Sequence, residues 1–464
     1  MIAGFERVLV IGLGKSGRAS VRVLRGMGSV VHATDEGNRE QLAPALEELA
    51  AQGADFVAPG TIEEILPELD AAVLSPGVPL NSPLVRRVQS ARVPVYSEIE
   101  LAYRLCKAPI VALTGTKGKT TTTALVGHIL SAVGRTARVG GNIGNPLIEE
   151  AAVADVTDWV VAEVSSFQLE SIRSFKPRIS AIINISPDHL DRYFSMDEYA
   201  EAKFRIFANQ NAGDTFVGNL DDERIGALVE GEGAVRIKCR ALWYSREPHR
   251  HSTLYLRNLA KIVYAPPTGD PRPIDIMDVD EIPLLGRHNV DNVMAATLMA
   301  LAAGVEARAI REAVRTFKAL PHRLTQVTEI DGVRFVDDSK ATNPGSVIAA
   351  MRTFDEGHIV LIAGGKSKGT DFTEFGKVAS SRTRGVVLIG AAADEMASVI
   401  RRAKVTRAES MQAAVEAAAG LAKPGDVVLL SPGCASFDMF ESADARGEAF
   451  VAAVERLASA EAVR

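Results

Sequence analysis

Cysteine is scarce: three in 464 residues, at Cys106, Cys239 and Cys434. Scattered and odd in number, they supply neither a disulfide framework nor a zinc spacing, which suits a reducing compartment. A basic surplus is missing too. Lys and Arg number 52 against 58 Asp and Glu, a net charge of -6. That argues against a nucleic-acid-binding surface and leaves room for a local basic pocket for a small anion. No apolar run approaches membrane-spanning length. No internal repeat and no low-complexity tract is found. "MIAGFERVLVIGLG" goes straight into a strand and a turn, with no leader pattern. The expectation is a cytoplasmic protein with no nucleic-acid partner and no membrane insertion.

What is present is βα alternation. Hydrophobic residues make up 47% and charged residues 24%, a globular composition, and the length calls for about two to four domains. Apolar runs such as "RVLVIG", "IVALTG", "WVVAEVSS", "HIVLIAGG" and "DVVLLSPG" end in Gly, Ser or Pro, as strands buried in parallel sheets do. Segments of helical period, such as "SMQAAVEAAAGLA", lie between them. The fold class is α/β, in three domains: residues 1–95, a Rossmann-like domain; 96–319, a central phosphate-loop domain; and 320–464, a second Rossmann-like domain. Between Ala241 and Pro283 the pattern changes to Pro/Gly turns and alternation, which predicts a small antiparallel addition to the central domain.

Two glycine loops carry chemistry. In "IVALTGTKGKTTTT" a strand runs into Gly115 and Gly118 and then into a helix. Its backbone N–H groups and the helix dipole both favour phosphate. Lys119 is placed to reach terminal phosphates, and the hydroxyl of Thr120 or Thr121 to meet Mg2+. Leu113 stands where a strict Walker A has its first glycine, so this is a variant. Glu163 ends the next strand on the same edge, where a metal-binding acid belongs, and His189 follows a further strand end. The second loop, "GLGKSG", is G-x-G-x-x-G at Gly12, Gly14 and Gly17, with Asp35 closing the following strand. That context fits a dinucleotide fingerprint, yet backbone donors and one acid suit any nucleotide, and no hydride-transfer centre is evident.

Further along, "VRFVDDSKATNPGSV" packs acids, a serine and a lysine behind a strand. Together with "SPGV", "GGNIGNP", "EVSSFQLE", "PDHLDRY", "GRHNVDN", "LPHR" and "LSPGCASFD", it makes the sequence resemble the Mur ligase family over nearly its whole length. "DDSKATNP" and "LSPGCASFD" resemble the branch that adds D-glutamate. The resemblance implies an ATP-dependent amide-bond-forming ligase with substrates UDP-MurNAc-L-Ala, D-glutamate and ATP. ATP phosphorylates the L-alanyl carboxylate, and the amine of D-glutamate attacks the acyl phosphate through a tetrahedral intermediate.

The resemblance also implies site roles, matched motif by motif. Gly14, Lys15, Ser16, Asp35 and Glu36 look like uridine contacts, with Ser75, Pro76 and Gly77 near the diphosphate and Asn142 and His189 further along the substrate. Gly115, Thr116, Lys117, Gly118, Lys119, Thr120 and Thr121 would hold ATP, with Asn289, Arg323 and Asp338. Lys119, Glu163, His189, Lys203 and Lys340 would be catalytic. Thr342, Lys368, Ser436 and Phe437 resemble the D-glutamate pocket. Thr120, Glu163, His189 and Lys203 as a carbamate would serve two Mg2+ sites. A monomer is expected. Two departures stand out: Lys117 replaces the usual Asn, and Ala443 occupies a position where the family often has an aromatic.

Overall fold

The computed structural model describes residues 4–188, 192–229, 236–267, 272–367 and 369–461. They fall into two compact units, one drawn from residues 1–282 and 291–317, the other from 283–290 and 318–464. Among the described residues no helix is long and apolar enough to cross a membrane.

The first unit holds two sheets. Strands β1 (Arg7–Ile11), β2 (Val30–Thr34), β3 (Asp55–Phe56), β4 (Ala71–Leu74) and β5 (Val95–Ser97) form a parallel sheet in the order β3-β2-β1-β4-β5. Val8 and Val10 enter one core, Leu9 and Ile11 another. Both faces are therefore covered, which is why the strand reads as continuously apolar. The order reverses between β1 and β4, the switch point at which sheets of this kind have their ligand crevice.

The second sheet has nine strands. They are β6 (Ile110–Thr114), β7 (Ala137–Gly141), β8 (Trp159–Glu163), β9 (Ile179–Ile182), β10 (Thr215–Asn219), β11 (Arg240–Ser245), β12 (Leu254–Arg257), β13 (Lys261–Tyr264) and β14 (Ile274–Asp278). The order is β14-β13-β12-β11-β10-β9-β6-β8-β7. The antiparallel pairs expected after Ala241 are β12–β13 and β13–β14. They continue the parallel sheet instead of standing apart, because β12 pairs parallel to β11 with Tyr244 opposite Leu254.

Helix Glu98–Leu105 joins the two sheets. The Glu100 carboxylate is wholly buried and accepts the backbone N–H groups of Arg173 (2.9 Å), Ser174 (3.0 Å) and Phe175 (2.8 Å), with Arg104 Nε at 3.0 Å. Burial alone would raise its pKa, but the bonds from Ser174, Arg173, Phe175 and Arg104 outweigh that and lower it. Glu98 differs. One oxygen accepts from Ile148 N at 2.7 Å, and the other is buried without a partner among the described residues. Burial pushes its pKa up to about 7.

The second unit has one sheet of β15 (Thr325–Ile330), β16 (Val333–Asp337), β17 (Ile359–Gly364), β18 (Thr383–Ile389), β19 (Lys404–Arg407) and β20 (Val427–Leu430). The order is β15-β16-β20-β17-β18-β19, antiparallel only between β15 and β16. Leu361 and Ala363 face one core, Val360 and Ile362 the other.

Candidate active site

At the β1/β4 crevice the GLGKSG loop lies against the Ser75–Pro76–Gly77 turn. A Cβ on Gly12, whose φ is +91°, would stand 2.7 Å from Val78 Cγ2 and 2.9 Å from Ser75 Cβ. A Cβ on Gly17 would stand 1.8 Å from the carbonyl oxygen of Gly12. The loop is thus as tight as its glycines suggest. Asp35 closes it from the side, accepting from Leu13 N at 2.6 Å and Gly37 N at 2.7 Å. Oδ2 is engaged by the loop and Oδ1 by the turn just after Asp35, a structural duty the sequence did not reveal. Lys15 extends to the carbonyl of Gly144 at 2.5 Å, in the segment that follows Asn142. Gly14, Lys15, Glu36 and Gly77 are exposed, Ser16 and Pro76 half-buried and Ser75 buried.

The phosphate loop connects β6 to helix Lys119–Ala132. Gly118 takes φ +81°, and a Cβ there would meet Asn292 Oδ1 at 2.3 Å; a Cβ on Gly115 would meet Ile183 Cγ1 at 2.5 Å. Only glycine fits at either position. Asn184, just past β9, templates the loop. Its Oδ1 accepts from Thr116 N (3.1 Å) and Lys117 N (2.8 Å), and its Nδ2 donates to Lys117 O (2.8 Å). Thr116 Oγ1 accepts from Ser186 N at 3.0 Å and lies 3.3 Å from Tyr199 Oη. Lys119 Nζ donates to the carbonyls of Gly115 (3.0 Å) and Thr116 (2.9 Å), folded over the loop. Thr120 and Thr121 open the helix in the first turn, half-buried.

Around this loop the structure gathers Glu163, Asn142 and Lys203. Asn142 N donates to Glu163 O at 2.8 Å and its Nδ2 to Glu163 Oε1 at 2.9 Å. Among the described residues, Glu163 Oε2 is buried with no hydrogen-bond partner. Lys203, on helix Met196–Phe204, is 1% exposed. Its Nζ donates to the carbonyl of Gly115 at 2.9 Å and lies 4.4 Å from the centre of the Tyr199 ring. Burial, reinforced by the charge of Lys119, lowers its pKa to about 6, against the pull of Asp188 and Glu163. Lys117 is half-buried, and burial lowers its pKa, with Asp188 opposing.

His189, the expected partner of Glu163, lies outside the described residues, as does Lys368. Among the described residues no three His, Cys, Asp or Glu side chains converge as metal ligands. The residues that are described suit Mg2+ all the same. A buried carboxylate oxygen with no partner is an open position of the kind a hard cation takes.

In the second unit, Asn289 Nδ2 donates to Leu285 O at 2.7 Å. Asp338 follows β16, and its carboxylate accepts from Ser431 Oγ at 2.8 Å. Burial raises its pKa to about 7, against the bond from Ser431 and the charge of Arg323. Lys340 Nζ pairs with Asp444 at 2.6 Å, Thr342 is half-buried, and Ser436 is 2% exposed. Phe437 presents 69% of its surface to solvent in this unit. His322 Nδ1 lies 2.6 Å from Asp337 Oδ2.

Sequence reasoning missed Asn184, Tyr199, Ser431 and Arg446, and noted Ser339 only as the serine of the polar stretch behind a strand.

Three family domains match this chain: "Mur ligase MurD-like, N-terminal domain" over residues 6–97, "Mur ligase middle domain" over 113–300 and "Mur ligase, glutamate ligase domain" over 322–434. The chain is 41% identical over 457 residues to the UDP-N-acetylmuramoylalanine--D-glutamate ligase of Koribacter versatilis, spanning 98% of each. It is 42% identical over 451 residues to that of Pelotomaculum thermopropionicum, spanning 96% of each. Among solved structures it resembles the MurF ligase of Thermotoga maritima in complex with ADP, with TM-score 0.62 and 15% identity, covering 99% of this chain and 100% of that one. A pseudomurein peptide ligase type C from Methanothermus fervidus aligns with TM-score 0.59 and 19% identity, covering 97% and 100%.

Proposed function

The chain belongs to the Mur ligase family, and on that premise we propose how it works. It is an ATP-dependent ligase that adds D-glutamate to UDP-N-acetylmuramoyl-L-alanine in peptidoglycan precursor synthesis. The observation that carries this reading is the phosphate loop, with Lys119, Glu163 and Lys203 around one glycine-built cradle.

Two nucleotides explain two glycine loops. The crevice between β1 and β4 takes the uridine diphosphate, with Gly14, Lys15, Ser16, Asp35, Glu36 and the Ser75–Gly77 turn around it. Residues 115–121 take the phosphates of ATP, with Asn289, Arg323 and Asp338 completing the nucleotide contacts. Lys119 leaves its two carbonyl partners to meet the transferred phosphoryl group, where it neutralises developing charge. Mg2+, held by Thr120, Glu163, His189 and Lys203 as a carbamate, would supply further neutralisation of phosphate charge. Carbamylation needs a neutral amine, and the burial of Lys203 favours one. Asn142 fixes the Glu163 carboxylate. Lys340 acts on the substrate side, and Thr342, Lys368, Ser436 and Phe437 receive D-glutamate. The work falls to residues 1–95 for the UDP-sugar, 96–319 for ATP and 320–464 for the amino acid, in a cytoplasmic monomer.

The test is phosphate release from ATP. It should require UDP-MurNAc-L-Ala and D-glutamate together. Release that ignores either one, or a change in nicotinamide absorbance, would refute the reading.

A further inference from the structure

Helix Ala443–Glu461 begins beside two loops that the reaction uses, and its first turn is wired to both. Arg446 is 1% exposed and among the largest fully buried side chains. Its Nε donates to Ser339 Oγ (3.0 Å), its Nη2 to Ser339 O (2.8 Å) and its Nη1 to Cys434 O (3.1 Å). Ser339 Oγ in turn donates to Ala443 O at 2.7 Å, and Asp444 holds Lys340. Beyond Cys434, Ala435 and Lys366 exchange two backbone hydrogen bonds of 2.8 and 3.2 Å. One guanidinium therefore ties the residue before Lys340 to the residue two before Ser436.

The charge is the unusual part. Among the described residues no carboxylate forms an ion pair with Arg446. Burial lowers its pKa to about 10, which leaves it protonated at neutral pH. Its hydrogen bonds go to carbonyls and a hydroxyl, and the charges of Asp438 and Asp337 stabilise it from beyond ion-pair distance; a buried cation so held is a costly way to fill space. It is an effective way to hold the Ser339 and Cys434 loops in one geometry.

We propose that Arg446 is a positioning residue for the amino-acid half of the reaction. It frames the Lys340 and Ser436 loops and holds them at the spacing that receives the incoming amino acid. This rests on the ligase reading above. The ATP side is held by other means, since Asp338 is fixed by Ser431 Oγ at 2.8 Å and by its own N–H to Leu430 O at 2.8 Å.

Hydroxylamine separates the two halves. Its nitrogen attacks the acyl phosphate carbon, phosphate leaves with the electrons of the broken C–O bond, and a proton passes to water, giving a hydroxamate. So small a nucleophile needs no amino-acid pocket. In Arg446→Met and Arg446→Lys, kcat/KM for D-glutamate should fall about 100-fold, mainly through KM, while hydroxamate formation and KM for ATP stay within about 3-fold. Equal loss of both activities would make Arg446 a structural residue and overturn the proposal. Unchanged ligation would overturn it too. If neither variant folds by circular dichroism, Ser339→Ala is read the same way, with a drop of about 10-fold expected. Wild-type enzyme that forms neither hydroxamate nor amide would instead overturn the ligase reading itself.

Discussion

The Nζ of Lys203 lies 2.9 Å from the carbonyl oxygen of Gly115, so a lysine 88 residues downstream reaches into the phosphate loop from below. An ammonium at that depth is poorly solvated and sits near a second cation, Lys119. Lys203→Ala should therefore lose about 1,000-fold or more in turnover, and small carboxylic acids should restore part of it by supplying the missing oxygen ligand. Carbon-13 NMR of enzyme equilibrated with labelled bicarbonate should report a carbamate carbon. A wild-type spectrum without that signal under turnover conditions rules out the modification.

Lys119→Ala should fold and bind UDP-MurNAc-L-Ala as the parent does, while turnover drops by about 1,000-fold. Its ammonium leaves the carbonyls of Gly115 and Thr116 to meet the phosphoryl group. Thermal midpoints with and without the UDP-substrate check the folding, and a phosphate-release assay checks the turnover. A folded variant with normal turnover removes the loop from the chemistry.

Asp35 closes the first glycine loop as well as facing the crevice. Asp35→Ala should cost about 2 kcal/mol of stability through its two backbone partners, besides raising KM for the UDP-substrate far more than KM for ATP. UDP-MurNAc-L-Ala should raise the thermal midpoint of the parent and NAD should not. Equal stabilisation by NAD contradicts a uridine site.

Glu98 predicts a pH dependence of stability. Its folded pKa of about 7 lies above the ordinary 4.5, so the native state holds a proton that the unfolded state gives up. Stability from this group is therefore full below about pH 4.5 and lost as pH rises towards 7. Glu98→Gln removes that slope and keeps an acceptor for Ile148 N. Between pH 5 and pH 8 the variant should gain on the parent by up to about 3 kcal/mol, read from urea midpoints. Parallel pH profiles would show that Glu98 titrates normally.

The strand ends and both loops were legible because they are local. Gly115, Gly118 and the following threonines announce a backbone cradle whatever lies around them, and apolar runs ending at Glu163 or Asp35 mark one edge of a sheet. Glu100, Asn184 and Arg446 were illegible because their partners are remote. Glu100 serves residues 73 to 75 positions away, and Arg446 reaches back 107 to Ser339. Nothing in "SEIELAYR" distinguishes an acid that grips three amides from one bathed in water. Ala443 shows the same limit: a position where an aromatic was expected contributes its carbonyl, not its side chain, to Ser339.

Glu98 and Glu100 also bear on how far the first sheet can be treated as an interchangeable part. It ends on a helix whose two buried acids find amide partners at Ile148 and at Arg173 to Phe175. A fragment cut after Leu105 strands both acids without those amides. On the ribosome the same helix must wait until Phe175 has emerged before its acids can be buried. Chimaeras that exchange the uridine-binding sheet between ligases should accordingly carry residues 146–148 and 171–175 with it, or lose the seam that turns two sheets into one unit.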